Sequence, residues 1–299
     1  MTARYFLSLM VIASSAAYAQ QVPDTTFIPD VGKAKYSMGK GPVVVIDEAH
    51  YNFHTAVGRY RPFAMLLERD GYVVKRGRQP FTTPSLQGTK ILVISNALSE
   101  RNSEQWILPT PSAFTNDEIS QLKQWVTNGG SLFLIADHMP IAGCAEDLAK
   151  AFGFTFYNGF AFDTTKTSGP DLFNFANQGL KNTTLTKGLD DIYTFTGQAF
   201  DCPPAATPII VPDHRFKLWL PKVAWEFDHD TKKIEAQGKA QGAYMSFGKG
   251  RLVVFGEAAM FSAQIAGNGS RMGFNNPMAR NNPAFLLRLI HWLDTGLPE

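Results

Sequence analysis

The sequence predicts an α/β fold in which a mainly parallel sheet carries helices on both faces. Continuous apolar runs at 43–46, 91–94 and 132–136 are typical of strands that are buried on both sides. Segments with a helical spacing of apolar residues separate these runs. Alternation of strands and helices along a chain predicts parallel strands joined by right-handed crossovers. With 44% hydrophobic residues, the chain of 299 residues can bury a core of its own.

The predicted elements follow one another closely from residue 43 onward. The first strand, 43–46, precedes a helix over about 56–69, which ends at Gly71 as helices commonly do. Thr115 and Glu118 form a capping-box signature for the next long helix, and a double glycine ends it. The other predicted segments are the strands "YVVKRG", "KILVIS" and "SLFLIAD", the helix "AEDLAKAFGF", the strands of "AYMSFGKGRLVVF" and a last helix over about 283–294.

The first residues have the pattern of an export signal. Arg4 gives a positive flank, residues 5–13 form an apolar run, and Ala17-Tyr18-Ala19 matches a small-residue cleavage site. This run is too short for a membrane span of about 20 residues, so we expect a periplasmic or secreted protein with no stable membrane anchor. The expected organisation is a signal peptide at 1–19, an N-terminal arm at 20–42, and a single domain at 43–299 with a β-rich elaboration at about 154–245.

The charge balance bears on the kind of partner. The chain has 28 Lys and Arg against 26 Asp and Glu, a formal net charge of +2. Because no stripe of basic residues stands out, we expect neither nucleic acid nor an anionic membrane as the main partner. No protein partner is evident from the sequence. The expected partner is a small-molecule or carbohydrate ligand.

The chain contains two cysteines, Cys144 and Cys202. In an oxidising compartment the pair is expected to form a disulfide. The alternatives are two separate thiols or one reactive thiol. Cys144 precedes an acidic helix start, which would favour a thiolate nucleophile, yet it lies several residues beyond the predicted strand end.

Ionisable residues follow three of the predicted strands. Asp47 and His50 come after the first strand, Asp137 and His138 follow "SLFLIA", and Glu257 follows "RLVVF". Ligands of parallel sheets bind outside the carboxyl ends of the strands, so we expect these five side chains at one edge. There Asp137 or Glu257 could act as a general base, with His138 or His50 as the acid. The alternative for each residue is a helix cap or a satisfied structural histidine.

A divalent metal is a second possibility at the same edge. His50, His54, Asp137 and His138 are residue types that suit zinc or a similar ion. His50 and His54 are four residues apart, so a helical turn would place both rings on one side. No HExxH motif accompanies them.

The segment at 267–283 is rich in asparagine and arginine. Arg271, Asn275 and Asn276 could hydrogen-bond the hydroxyl or carboxylate groups of a sugar or uronate-like ligand. The alternative is a solvated loop whose asparagines adopt left-handed conformations. Nearby aromatic residues such as Tyr51 and Phe53 could stack on a sugar, although core packing is their commoner role.

Four segments resemble the class I glutamine amidotransferase-like superfamily, in its secreted, trehalose-utilisation-like or uncharacterised branches. They are "VVVIDEAHYNF", "FTNDEISQLKQWVTNGGSLFLIADH", "KGRLVVFGEAAMF" and "NNPAFLLRLIHWL". The resemblance implies a flavodoxin-like three-layer sandwich. Amidotransferases of this superfamily carry a Gly-x-Cys-x-Gly elbow, whereas Asp137-His138 stands at that strand end here. Glutaminase activity is therefore not expected.

Two hypotheses of function follow from these features. The first is a secreted hydrolase of a small polar or carbohydrate-like substrate that uses the carboxylates and histidines at the strand ends. The second is a non-catalytic ligand-binding or scaffold domain of the same fold.

Overall fold

The structure is a computed structural model that describes residues 21–297. Within this range it has fifteen strands, seven α-helices and a short 3₁₀-helix, Ala259–Phe261. The strands are β1 (Val22–Pro23), β2 (Val43–Asp47), β3 (Val73–Gly77), β4 (Ile91–Ser95), β5 (Ser131–Ile135), β6 (Phe160–Asp163), β7 (Asp171–Asn174), β8 (Asp191–Thr194), β9 (Thr207–Ile210), β10 (Phe216–Leu220), β11 (Lys232–Glu235), β12 (Gly242–Phe247), β13 (Gly250–Phe255), β14 (Ala263–Ile265) and β15 (Arg271–Gly273). The helices are α1 (Arg61–Arg69), α2 (Thr83–Leu86), α3 (Glu100–Glu104), α4 (Asn116–Thr127), α5 (Ile141–Cys144), α6 (Glu146–Ala151) and α7 (Asn282–Thr295).

The central sheet has seven strands in the order β3-β2-β4-β5-β13-β12-β9. The first five are parallel, and β12 and β9 extend the sheet with antiparallel pairing. Numbered along the chain, the five parallel strands have the order 2-1-3-4-5. The prediction of an α/β fold with a mainly parallel sheet is thus confirmed.

Two hydrophobic cores lie on opposite faces of this sheet, because successive strand residues point to opposite sides. Phe133 belongs to one core together with Phe63 of α1 and Phe285 of α7. Its neighbour Leu132 belongs to the other core together with Leu122 of α4. Each fully buried leucine or phenylalanine contributes about 1.5–3 kcal/mol by leaving water, so both faces of the sheet stabilise the fold.

Local sequence signals set the bounds of the helices. The hydroxyl of Thr115 accepts from the backbone N–H of Glu118 at 3.2 Å, and the Glu118 carboxylate accepts from the Thr115 N–H at 3.0 Å. This is the predicted capping box of α4. The first helix begins later than predicted, at Arg61, because Pro62 fits its first turn, and it is followed by Gly71 at φ +93°.

The segment between α6 and β12 is rich in short strands. The antiparallel sheet β11-β10-β6 and the pair β7-β8 arise from it, and β9 joins the edge of the central sheet. The expected β-rich elaboration at about 154–245 corresponds to this part of the chain. It places the aromatic residues of β6 and of the segment after β10 above the carboxyl edge of the sheet.

The arm at the beginning of the described chain packs onto the domain. β1 pairs with β14 in a third sheet, β1-β14-β15. Arg59 donates from Nε to the Gln21 carbonyl at 2.9 Å, and the Tyr36 hydroxyl donates to Asp294 at 2.5 Å. The expected signal peptide at 1–19 lies outside the described residues. No helix within residues 21–297 is both long and apolar enough to cross a bilayer.

Candidate functional site

The candidate site lies at the edge where β2, β4, β5 and β13 end side by side. Asp47 is the last residue of β2, and Asn96, Asp137 and Glu257 follow the other three strands. The Asn96 side chain accepts from the Asp137 N–H at 3.1 Å, which ties two of these ends together. Parallel neighbours necessarily end at one edge, so the sheet order places these polar residues together.

His50 is held between two carboxylates. Its Nδ1 lies 2.9 Å from Oδ2 of Asp47, and its Nε2 lies 2.9 Å from Oε1 of Glu118. Burial alone would lower the pKa of His50, but the hydrogen bonds and charges of Asp47 and Glu118 outweigh it and raise that pKa. We call Asp47, His50 and Glu118 the His50 clamp. Because both ring nitrogens are engaged, His50 holds structure together and cannot readily exchange a proton with a ligand.

His54 is buried on a different side of the same loop. Its Nδ1 lies 3.1 Å from the Ser95 hydroxyl, and its ring stacks on Tyr60 with centroids 4.4 Å apart. Burial, and less strongly the charge of Arg59, lowers the pKa of His54 well below its usual value. His54 is therefore neutral at physiological pH.

Asp137 and Glu257 form a pair of buried carboxyls. Glu257 accepts from the backbone N–H groups of Ala259 at 2.7 Å and Met260 at 2.9 Å, which fixes the 3₁₀-helix after β13. Burial and then the charge of Asp137 raise the pKa of Glu257 well above its ordinary value. Burial also raises the pKa of Asp137. Two adjacent carboxyls in a low dielectric favour a state that retains a proton.

His138 is surrounded by aromatic rings. It stacks on Phe160 with centroids 4.2 Å apart and meets the edges of Trp225 at 4.8 Å and Trp106 at 5.9 Å. Its Nδ1 lies 2.8 Å from the Met139 carbonyl, which accepts only, so Nδ1 carries the hydrogen. The other nitrogen, Nε2, consequently presents a lone pair. We call His138, Phe160, Trp106 and Trp225 the His138 face.

Two bulky residues at this edge have a left-handed backbone. Trp225 has φ +67° and Tyr51 has φ +46°, and their side chains are 46% and 53% exposed. Such residues rarely adopt a positive φ, and the cost is of the order of 1–3 kcal/mol each. Strain of this size persists only where the surrounding structure fixes the backbone.

The proposed metal ligands do not form a ligand group. The described part of the chain has no cluster of three or more His, Cys, Asp or Glu side chains that could hold a metal ion. The spacing of His50 and His54 would align their rings only in a helix, and α1 does not begin until Arg61. Their rings instead contact different partners, while His138 stacks in its own aromatic surroundings. The set His50, His54, Asp137 and His138 is therefore wrong as a joint metal site.

The predicted ligand-binding residues near the C-terminus have local structural roles. Asn275 is buried and donates to Asp24 at 3.0 Å and to the Gln264 carbonyl at 3.1 Å, so it fastens the arm. Asn276 donates to the carbonyl of Arg271 at 2.9 Å and shapes the turn after β15. These contacts give Asn275 and Asn276 a structural role, and Arg271 is an exposed strand residue; ligand binding by the three residues stays a prediction.

The predicted disulfide is also wrong. Cys144 and Cys202 are both free. Cys144 is buried in α5, with its sulfur 3.5 Å from Oδ1 of Asn102, and burial raises the pKa of its thiol. Burial, with the charge of Asp201, raises the pKa of Cys202 to about 12. Raised pKa values disfavour the thiolate, so neither residue fits a reactive nucleophile.

Sequence reasoning missed several residues of this edge. Glu118 was identified only as a helix cap, and nothing in the sequence indicates that its second oxygen reaches His50. Trp106, Phe160 and Trp225 come from three separate segments and carry no spacing signal. A tryptophan in an irregular, polar stretch, as at Trp225, is the one feature that could have suggested an exposed aromatic site.

The comparisons with known proteins bear on the fold. No protein-family model matches the sequence, and no curated protein matches it. Among solved structures, the mmIFT52 N-terminal domain is similar, with TM-score 0.62 and 13% identity over 85% of this chain and 98% of that chain. The cytoplasmic protein STM1381 from Salmonella typhimurium LT2 has TM-score 0.52 and 12% identity, over 84% of this chain and 99% of that one. A ThuA-like protein from Bacteroides uniformis has TM-score 0.48 and 14% identity, over 89% and 97%. At such low identity the first two likenesses show the fold alone.

Proposed function

We propose that the chain is a ligand-binding domain of glutamine amidotransferase-like, flavodoxin-like fold, and that its His138 face binds a small polar, carbohydrate-like ligand. The strand order 2-1-3-4-5 and the separate cores on the two faces of the sheet support a flavodoxin-like three-layer sandwich. In this fold the carboxyl edge of the sheet is the place where ligands bind.

The observation that carries the proposal is the position of Trp225. Its indole is held against His138, is 46% exposed, and rests on a strained backbone. An exposed indole offers a flat apolar surface to the C–H face of a sugar ring, while Nε2 of His138 accepts a hydrogen bond from a hydroxyl. Tyr51 adds a second exposed ring at the same edge.

Binding fits the geometry better than catalysis does. The polar atoms of the His50 clamp and of Glu257 are already hydrogen-bonded within the protein. His138 bonds to a carbonyl rather than to a carboxylate that would support a proton relay. Neither cysteine has the low pKa of a nucleophile.

A hydrolase remains the second candidate, and one observation favours it. The Met139 carbonyl fixes the tautomer of the neutral His138 ring so that Nε2 carries the lone pair that a general base needs. In this version Nε2 takes a proton from a water whose oxygen attacks the bound ligand, the bond between the attacked carbon and the leaving oxygen breaks, and the protonated ring returns the proton to that oxygen. Export to the periplasm or the medium is part of both proposals, because it is predicted from the signal pattern at 1–19 alone.

Fluorescence titration with a panel of neutral monosaccharides and disaccharides tests the binding proposal. Trp225→Ala should weaken the binding of a responding sugar at least about tenfold, equivalent to about 1.4 kcal/mol. Phe175→Ala is a matched control, because Phe175 is 41% exposed and lies in the turn after β7. Equal affinity of the wild type and Trp225→Ala for every sugar that binds would contradict the proposal.

Product analysis in the same samples separates the two candidates. Binding without release of product supports the binding domain. Turnover that falls at least about a hundredfold in a normally folded His138→Ala variant supports the hydrolase.

A further inference from the structure

A second groove lies between α2 and α4, next to the His50 clamp, and shares no lining residue with the His138 face. It consists of two adjoining depressions of about 570 and 600 Å³. Both are lined by Thr83, Pro84 and Gln121, so the two depressions share a border, and together we call them the α2–α4 groove. One end reaches Glu118, and the other reaches Asn128 at the end of α4.

The lining of this groove is almost uncharged. Among its described lining residues only Asp117 and Glu118 carry a charge, and both oxygens of Glu118 are engaged in the capping box and the His50 clamp. Four amide side chains line the depression at the Asn128 end, and hydroxyl groups supply the other uncharged polar groups of the groove. The amides are Gln87, Gln121, Gln124 and Asn128. Amides can both donate to and accept from hydroxyl groups, and they carry no charge that would select an ionic ligand.

A tryptophan ring is fixed at the far end of the groove. Trp125 lines the groove, and its ring lies directly against the backbone of Gly130. A Cβ atom at Gly130 would lie only 2.3 Å from the ring, so the double glycine that ends α4 also makes room for this indole. The ring is therefore held in place before any ligand arrives, which lowers the entropy cost of stacking.

We propose that the α2–α4 groove binds an uncharged glycan chain. One sugar ring stacks on Trp125, and the hydroxyls of neighbouring units exchange hydrogen bonds with Gln121, Gln124 and the other amides. Two bordering depressions of about 570 and 600 Å³ suit several linked sugars rather than a single one. The site shares no residue with the His138 face, so it extends the ligand-binding role to a separate surface.

Native affinity electrophoresis of the whole chain tests this proposal. Gels would contain hydroxyethylcellulose, galactomannan or laminarin as neutral polymers, and carboxymethylcellulose as a charged one. We expect at least one neutral polymer to retard the wild-type protein. No retardation by any neutral polymer, or retardation by carboxymethylcellulose alone, overturns the proposal.

Variants of the lining residues test whether the retardation depends on the groove. The double variant Gln121→Ala/Gln124→Ala should bind the retarding polymer at least about fivefold more weakly, because two neutral hydrogen bonds to the glycan are lost. Trp125→Ala should abolish the retardation, with circular dichroism reporting whether the variant folds. The exposed Gln237→Ala, a matched amide after β11, should behave as wild type. Unchanged binding by the double variant overturns the proposal even where Trp125→Ala fails to fold.

Discussion

The His50 clamp gives a prediction with a defined pH dependence. Glu118→Gln keeps the shape of the side chain and an oxygen for the helix cap, but it removes one of the two charges that hold protonated His50. A hydrogen bond to a charged group contributes about 1.5–3 kcal/mol. His50 is 6% exposed and Glu118 8%, so solvent screens this interaction little. We therefore expect Glu118→Gln to lower the free energy of unfolding by about 2 kcal/mol near pH 5.5.

The sign of the pH effect follows from the two pKa shifts. The pKa of His50 is raised in the folded protein. Its contribution to the free energy of unfolding is therefore complete below its pKa in the unfolded chain, near 6.5, and is lost as the pH rises through its pKa in the folded protein. Burial alone would raise the pKa of Glu118, but its hydrogen bonds to Thr115 and His50 lower it, so its contribution is lost as the pH falls through that lowered value. The difference between wild type and Glu118→Gln should thus be largest in mildly acidic buffer and should shrink in alkaline buffer.

Urea unfolding of both proteins in mildly acidic, neutral and alkaline buffer measures this difference from the midpoints at constant slope. Glu68→Gln is the matched control, since Glu68 pairs with Arg61 at 3.0 Å on the surface, where such pairs contribute about 0–1 kcal/mol. A loss below about 0.5 kcal/mol near pH 5.5, or a loss that grows in alkaline buffer, would refute the assignment of charge to His50.

Three further predictions follow from other contacts. Gly130→Ala should destabilise the fold by about 1–3 kcal/mol in thermal or urea unfolding, because the added methyl meets the ring of Trp125. Asn275→Ala should lower the free energy of unfolding by about 1–3 kcal/mol and speed proteolysis of the arm, while the affinity for sugars stays unchanged. Weaker sugar binding by this variant would instead support ligand binding by Asn275. Cys144 and Cys202 should resist a thiol reagent in the native protein near neutral pH and react after denaturation, and an intact disulfide in the mass spectrum would contradict the free thiols.

Local patterns in the sequence determined much of the fold. The aliphatic runs of β2, β4 and β5, the capping box of α4 and Gly71 after α1 are all short-range signals, and the structure has each of them. Their physical causes act within a few residues, so one sequence is enough to recognise them. The sheet edge then follows from the rule that parallel strands end together.

The side-chain partners within that edge could not be predicted in the same way. Glu118 meets His50 across 68 positions of sequence, and Asn275 meets Asp24 across 251. Neither spacing carries information about distance in space. The disulfide was wrong for the same reason, since an even number of cysteines says nothing about where α5 lies relative to Cys202.

The docked arm has a practical consequence for every binding measurement on this protein. Gln21 is bonded to Arg59, whose guanidinium lies 3.8 Å from the ring of Phe53, and Phe53 in turn touches Trp106 of the His138 face. A fusion partner or affinity tag joined just before Gln21 would begin near that face and hinder access to it. The far end of α7 packs against the beginning of β13, at the opposite edge of the sheet. Attachment at the end of α7 therefore leaves the His138 face clear.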